Sequence, residues 1–153
     1  MLDGATDFRY PFLMQELTIH TDGGARGNPG PSAIGVVFTY PEGQDRFART
    51  IGTATNNVAE YSAVLEAIAQ IPAIIARQGN FTSITFNLDS ELVVKQIGGQ
   101  YRVKEPTLQG LHARVIQGLR SLSLPYKVQH VRRAQNAAAD KLVNQALDGT
   151  LDL

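Results

Sequence analysis

Four acidic residues stand at positions where an acid does chemistry more readily than it builds structure. Asp22 closes the segment LTIHT and is followed by Gly23 and Gly24; Asp89 closes ITFNL and precedes Ser90. Both segments are short and rich in β-branched or aromatic residues, the signature of strands. An acid at a strand exit has a plain role open to it, making an Asx-turn or capping the next helix. In α/β sheets, however, ligands collect outside the carboxyl ends of parallel strands. Glu60 and Asp140 are the helical counterparts: Glu60 is in register with Val64 and Ile68 on a stripe that must face the sheet, and Asp140 shares a face with Val143 and Leu147. A purely solubilising acid points outward, although an acid near a helix start also favours the dipole, by about 0.3–1 kcal/mol at an exposed end. Four carboxylates converging on one sheet edge repel one another and need a countercharge to stay ionised together. The chain has no Cys and only three His, so an all-oxygen ligand set suited to Mg²⁺ or Mn²⁺ is what remains. Two such ions ~3.5–4 Å apart activate water and stabilise the leaving oxygen of a phosphodiester.

Other polar motifs carry less. The loop GGARGNPG matches neither a dinucleotide fingerprint nor a P-loop, and Asn28-Pro29-Gly30 leads into a strand rather than a helix, which disfavours nucleotide cofactors. It still lets backbone N–H groups approach a ligand, and Asn28 offers both donor and acceptor. His130 lies ten residues before Asp140, but it alternates with Tyr126 and Val128 and reads as a packed strand residue. His20 shares a strand face with Asp22 and reads as a core or supporting residue; His112 reads as a surface helix position.

The elements that must position these groups follow from periodicity. Glu16–Thr21, Ala33–Tyr40 and Asp45–Gly52 read as an antiparallel meander punctuated by GGARGNPGPS and PEGQ. From Val58 the pattern Tyr61, Val64, Leu65, Ile68 predicts an amphipathic helix, capped by Asn56 or Asn57 and ended or kinked by Pro72. Then come a strand over Ser83–Leu88, a short helix over Ser90–Ile97, the linker GGQYRVKEP, a helix over Thr107–Leu122, a strand over Tyr126–Arg132, and a last helix capped by Asn136 and running to about Leu147. The order βββαβααβα implies an α/β fold, a five-stranded mixed sheet in which strands one, four and five run parallel, with helices on its faces.

Composition narrows the class. A length of 153 residues with 43% hydrophobic and 18% charged residues fits one domain, 16–153, preceded by a loose arm over residues 1–15. The absence of Cys excludes disulfide scaffolds, zinc fingers and thiolate nucleophiles. The longest apolar stretch, Ala63–Ala76, is broken by Glu66, Gln70 and Pro72 and falls short of the ~20 apolar residues of a membrane span. The N-terminus does not read as a signal peptide, so a cytoplasmic location is expected. Net charge is zero, yet Lys95–Arg133 holds eight cations against Glu105 alone, a local charge of +7 balanced by −7 elsewhere. Such a split fits a phosphate-binding surface beside an acidic patch, or a solvated basic helix.

Four blocks carry a resemblance. TDGGARGNPGPSAIG, TNNVAEYSAVLEAI, LDSELVVKQIGG and HVRRAQNAAADKLVNQAL, in this order from Thr21 to Leu147, resemble the signature blocks of type 1 ribonuclease H. The resemblance implies a ribonuclease H-like fold and a monomeric endonuclease that hydrolyses the RNA strand of RNA/DNA hybrids by a two-metal-ion mechanism, leaving 5′-phosphate and 3′-hydroxyl ends. It implies that Asp22, Glu60, Asp89 and Asp140 are the catalytic, metal-binding carboxylates for two Mg²⁺ ions, with Mn²⁺ as a substitute. It places Gly23, Asn28, Thr55, Asn56, Asn57, Glu91 and Arg133 where the family contacts the hybrid. Three departures stand out: the loop His that many members carry before the last helix is missing, leaving Arg132 or Arg133 to reach the scissile region; GGQYRVKEP replaces a basic protrusion; and residues 1–15 are too few for a hybrid-binding domain. Activity on double-stranded RNA and a non-catalytic nucleic-acid-binding role are the competing expectations.

Overall fold

A computed structural model describes residues 15–152. The expected N-terminal arm, except for Gln15, lies outside the described residues. Three antiparallel strands open the fold: β1 (Glu16–Ala25), β2 (Gly30–Tyr40) and β3 (Gly43–Ala54). They are followed by α1 (Asn56–Gln78), β4 (Ser83–Leu88), α2 (Glu91–Ile97), α3 (Pro106–Arg120), β5 (Tyr126–His130), a 3-10 turn (Arg133–Asn136) and α4 (Ala137–Asp148). The sheet order is β3-β2-β1-β4-β5, with β1/β4 and β4/β5 parallel. This is the mixed sheet that the element order requires.

Alternation along β1 sorts its side chains between two layers. Leu17 and Ile19 join Phe38, Tyr61, Val64 and Phe86 in the larger core, beneath α1 and α3. On the other face, Ala33 and Val37 of β2 pack with Leu142 and Val143 of α4 in a smaller core. Asp22 and His20 lie half-buried between buried neighbours along β1. His20 Nε2 meets Asn87 Nδ2 at 3.3 Å, and burial lowers its pKa, in keeping with the supporting role expected of it.

Several element ends differ from expectation, each for a local reason. Thr55, not Asn56 or Asn57, caps α1: its hydroxyl accepts the Val58 N–H at 3.2 Å. Pro72 does not stop α1, which runs on to Gln78. A mid-helix proline costs about 3 kcal/mol, but Ile71 and Ile74 are each only 1% exposed, and burying two such side chains returns roughly 3–6 kcal/mol. The uninterrupted helix is then long and apolar enough to cross a membrane by length and composition, contrary to the reading of Ala63–Ala76 as broken; in this fold it is the core helix. Asn136 sits at the N-cap of α4 without a capping side-chain bond; its Nδ2 instead donates to the Thr21 carbonyl at 2.9 Å, tying α4 to β1. β5 is an edge strand and ends at His130, which is exposed rather than packed. His112 is no plain surface residue: its Nε2 bonds the Gln96 carbonyl at 2.9 Å and its ring meets Tyr61 edge-on.

Candidate active site

The parallel pairing of β1 and β4 ends at Thr21 opposite Leu88. Asp22 is the next residue of β1 and Asp89 the first residue past β4, so the register brings the two to one edge of the pairing. β1 itself does not end there. It continues to Ala25, paired with β2, so Asp22 lies within a strand rather than after one. Two close backbone contacts bring in the helices. A Cβ on Gly23 would stand 2.2 Å from the Ala59 carbonyl, and one on Gly35 would stand 2.5 Å from the Ala139 carbonyl. Both distances are impossible for any other residue. They let α1 and α4 settle onto the sheet at the residue preceding Glu60 and the residue preceding Asp140. Gly35 is also the β2 partner of Asp22. Gly35 carries a signal legible in the sequence, since a lone glycine inside a strand pattern marks close approach.

The result is a cleft of about 430 Å³ lined by Asp22, Glu60, Asp89 and Asp140, with Gly23, Asn56 and Arg133 on its walls. Burial, then the charges of Asp89, Asp140 and Glu60, push the Asp22 carboxyl up to about 8; a hydrogen bond with Asp140 adds to the rise. Burial also pushes Glu60 up to about 7, against the Ser90 hydroxyl, while Asp89 adds to the shift and Arg133 opposes it. Glu60 Oε2 is buried with no hydrogen-bond partner, which costs about 1–3 kcal/mol or more for an acid. Among the described residues, no three His, Asp or Glu side chains form a ready-made metal cage. Crowded, desolvated oxygens with an orphaned carboxylate atom nevertheless fit a divalent cation, which relieves repulsion and satisfies that atom at once.

The remaining expected residues divide. Asn28, Thr55 and Asn57 line a second groove of about 560 Å³, together with Thr53, Glu105 and Thr107. Asn56 joins the two concavities: it lines the first, its N–H donates to Asn28 Oδ1 at 2.9 Å and its Oδ1 accepts the Ala25 N–H at 2.9 Å. Of the two candidate arginines, Arg133 lines the cleft, whereas Arg132 does not. Glu91 lines neither concavity and is exposed on α2, 3.5 Å from Lys95; an acid one turn from a lysine on a helix surface is what i, i+4 pairing favours. Arg26 and Asn144, which the sequence reading did not single out, also line the cleft. Arg26 reaches Asp148 at 2.6 Å and Asn144 at 3.3 Å, a contact across 122 and 118 residues of chain with no local sequence signal.

The strand order and the helix placement define a ribonuclease H-like protein. Residues 20–146 match the family described as Reverse transcriptase-like. The bifunctional protein Rv2228c of Mycobacterium tuberculosis is 37% identical over 136 residues, covering 87% of this chain and 36% of that protein. Ribonuclease HI of Halobacterium salinarum is 39% identical over 129 residues, 83% of this chain and 62% of its relative. The chain thus spans less than two thirds of the length of these curated relatives. LC11-RNase H1, isolated from compost by a metagenomic approach, superposes with a TM-score of 0.82 at 40% identity, covering 91% of this chain and 100% of that one. The same protein in complex with an RNA/DNA hybrid gives a TM-score of 0.79 at 39% identity, over 89% and 99% of the two chains. The chain belongs to the type 1 ribonuclease H family.

Proposed function

We propose that this chain hydrolyses the RNA strand of RNA/DNA hybrids, acting as a monomer and leaving 5′-phosphate and 3′-hydroxyl ends. The observation that carries the reading is the convergence of Asp22, Glu60, Asp89 and Asp140 on one cleft, where the parallel pairing of β1 with β4 ends. These four would hold divalent cations, Mg²⁺ with Mn²⁺ as a substitute, which supply activation of water and stabilisation of the departing 3′-oxygen. Asp22 lies on β1 and Asp89 directly follows its parallel partner β4, so the sheet brings the two acids together. Glu60 arrives from α1 with one oxygen unpartnered. Arg133, whose charge already favours the ionised form of Glu60, faces the same cleft and can take a phosphate oxygen. The second groove, with Asn28, Thr55 and Asn57, offers amides and a hydroxyl at positions suited to sugar and phosphate contacts, and the 2′-hydroxyl that marks RNA needs partners that both donate and accept. A non-catalytic binding role is disfavoured because a binder gains nothing from four mutually repelling carboxylates. Asp22→Asn and Asp89→Asn test the reading: each removes ligand charge and should lower Mg²⁺-dependent hybrid cleavage by at least about a hundredfold without unfolding the protein. Folded variants that cleave at the wild-type rate would show these acids to be structural.

A further inference from the structure

The linker between α2 and α3 is not slack chain. The Lys95 carbonyl accepts the N–H groups of Gln100 and Tyr101 at 2.8 and 3.1 Å, and the Lys95 ammonium reaches the Tyr101 hydroxyl at 3.3 Å. Gln109 Nε2 donates to the Val103 carbonyl at 3.0 Å, and Glu105 caps α3 through two backbone N–H groups. At the centre stands Gln96, 6% exposed. Its Oε1 accepts the hydroxyl of the fully buried Tyr61 at 2.7 Å. Its Nε2 donates to the Arg102 carbonyl at 3.4 Å. Its own carbonyl takes the His112 ring and the Gly99 N–H, at 2.9 and 3.1 Å. One buried side-chain amide on α2 therefore joins α1 to the linker, while the backbone carbonyl of the same residue holds α3 through His112.

A buried glutamine in a helix of seven residues is a costly choice where Leu or Met would pack, since burying an amide is favourable only when all its hydrogen bonds are made. What it secures is the linker, and the linker presents Arg102 and Lys104, both exposed and without an acidic partner within ion-pair distance among the described residues. The linker ends at Glu105, which with Thr107 forms a wall of the groove holding Asn28, Thr55 and Asn57. Arg102 and Lys104 thus lie three residues and one residue before the wall of a groove whose lining is uncharged apart from Glu105.

We infer that Gln96 is a positioning residue for nucleic-acid binding: it locks the linker so that Arg102 and Lys104 engage the phosphates of a hybrid duplex seated in that groove. The inference rests on the proposed substrate. It requires binding and not cleavage, however, so the two readings fail separately.

The test is hybrid affinity without metal. Anisotropy titrations of a labelled RNA/DNA hybrid in EDTA, repeated across salt concentrations, give Kd and its salt slope for the wild type, Gln96→Leu, the pair Arg102→Gln with Lys104→Gln, and the triple variant. Gln96→Leu should weaken binding about fivefold and flatten the salt slope. The charge pair should flatten it by about 1.8, the value for two lost phosphate contacts. The triple variant should equal the charge pair, because Gln96 acts through those charges. In the cleavage assay with Mg²⁺ the loss from Gln96→Leu should fall on KM rather than kcat. Should Gln96→Leu not fold, hydrogen exchange of the wild type serves instead: the amides of Gly99–Tyr101 should slow when hybrid is added. An unchanged salt slope in Gln96→Leu, additive effects in the triple variant, or linker amides indifferent to hybrid would each overturn the inference. A wild type that binds hybrid as described but does not cleave it would overturn the proposed activity and leave the role of Gln96 standing.

Discussion

Asp22 and Glu60 show how packing creates a demand that chemistry then meets. Burial and mutual repulsion hold their carboxyls at about 8 and about 7, against ordinary values near 4. An acid whose folded-state pKa lies above its unfolded one keeps its proton longer in the folded protein, so stability is present at low pH and is lost as pH rises between the two values. The metal-free protein should accordingly melt at falling temperatures between about pH 4 and pH 8. Asp45 works in the opposite sense below that window, because its bonds to Tyr40 and Arg77 lower its pKa. Asp22→Asn should flatten the decline, and saturating Mg²⁺ should restore stability at pH 8 while releasing protons. Thermal melts across pH, with and without metal, check this, and a metal-free protein whose melting temperature rises over the window would contradict it. His130 supplies a contrasting prediction. It is exposed on the edge strand and lines neither concavity, so His130→Ala should change stability by less than about 0.5 kcal/mol and leave cleavage intact, as calorimetry and a rate assay would show. The four acids were legible in the sequence because strand exits and inward helix faces are local features. The exposure of His130 was not, since whether an alternating segment is central or at an edge depends on what pairs with it.

The elements are held at the site by backbone contact as much as by side chains. Gly23 admits α1 and Gly35 admits α4, each beside one of the helical acids. Gly35→Ala should therefore cost about 1–3 kcal/mol or more by overpacking and should also reduce cleavage in the fraction that stays folded, because α4 carries Asp140. Denaturant melts paired with specific activity separate the two effects, and a stable, fully active Gly35→Ala would show that α4 does not need this approach. Pro72, exposed within α1, predicts the reverse. Its replacement by Ala regains a helix hydrogen bond and should raise stability by about 1–3 kcal/mol; a lower melting temperature would mean that the proline stabilises mainly through the unfolded chain. Element order and the parallel strands followed from periodicity, whereas ends and caps did not. Thr55 takes the cap while its neighbour Asn56 is engaged elsewhere: the Asn56 side chain accepts the Ala25 N–H and its backbone N–H donates to the Asn28 side chain. Such tertiary partners lie 28 to 31 residues away and leave no trace in a local window.

At the scale of the whole molecule, a chain of zero net charge separates its charges in space: carboxylates converge on one cleft, with Arg26 and Arg133 on its walls, while the linker carrying Arg102 and Lys104 leads into the wall of the second groove at Glu105. That separation suits a polyanion whose backbone is gripped by cations and whose scissile phosphate meets acids bearing metal. The sequence disclosed the imbalance along the chain, but which cations face the cleft emerged only from the fold, in which Arg133 and Arg26 line it and Arg132 does not. The proposed activity is cleavage, by the four acids, of RNA paired with DNA. The most direct measurement incubates the protein and Mg²⁺ with matched RNA/DNA, RNA/RNA and DNA/DNA duplexes, each labelled on one strand at a time, and resolves the products. Fragments are expected from the RNA strand of the hybrid alone or in large excess, ending in 5′-phosphate and 3′-hydroxyl and absent in EDTA. An intact hybrid RNA strand, a cleaved DNA strand, or fragments that persist without metal would contradict it.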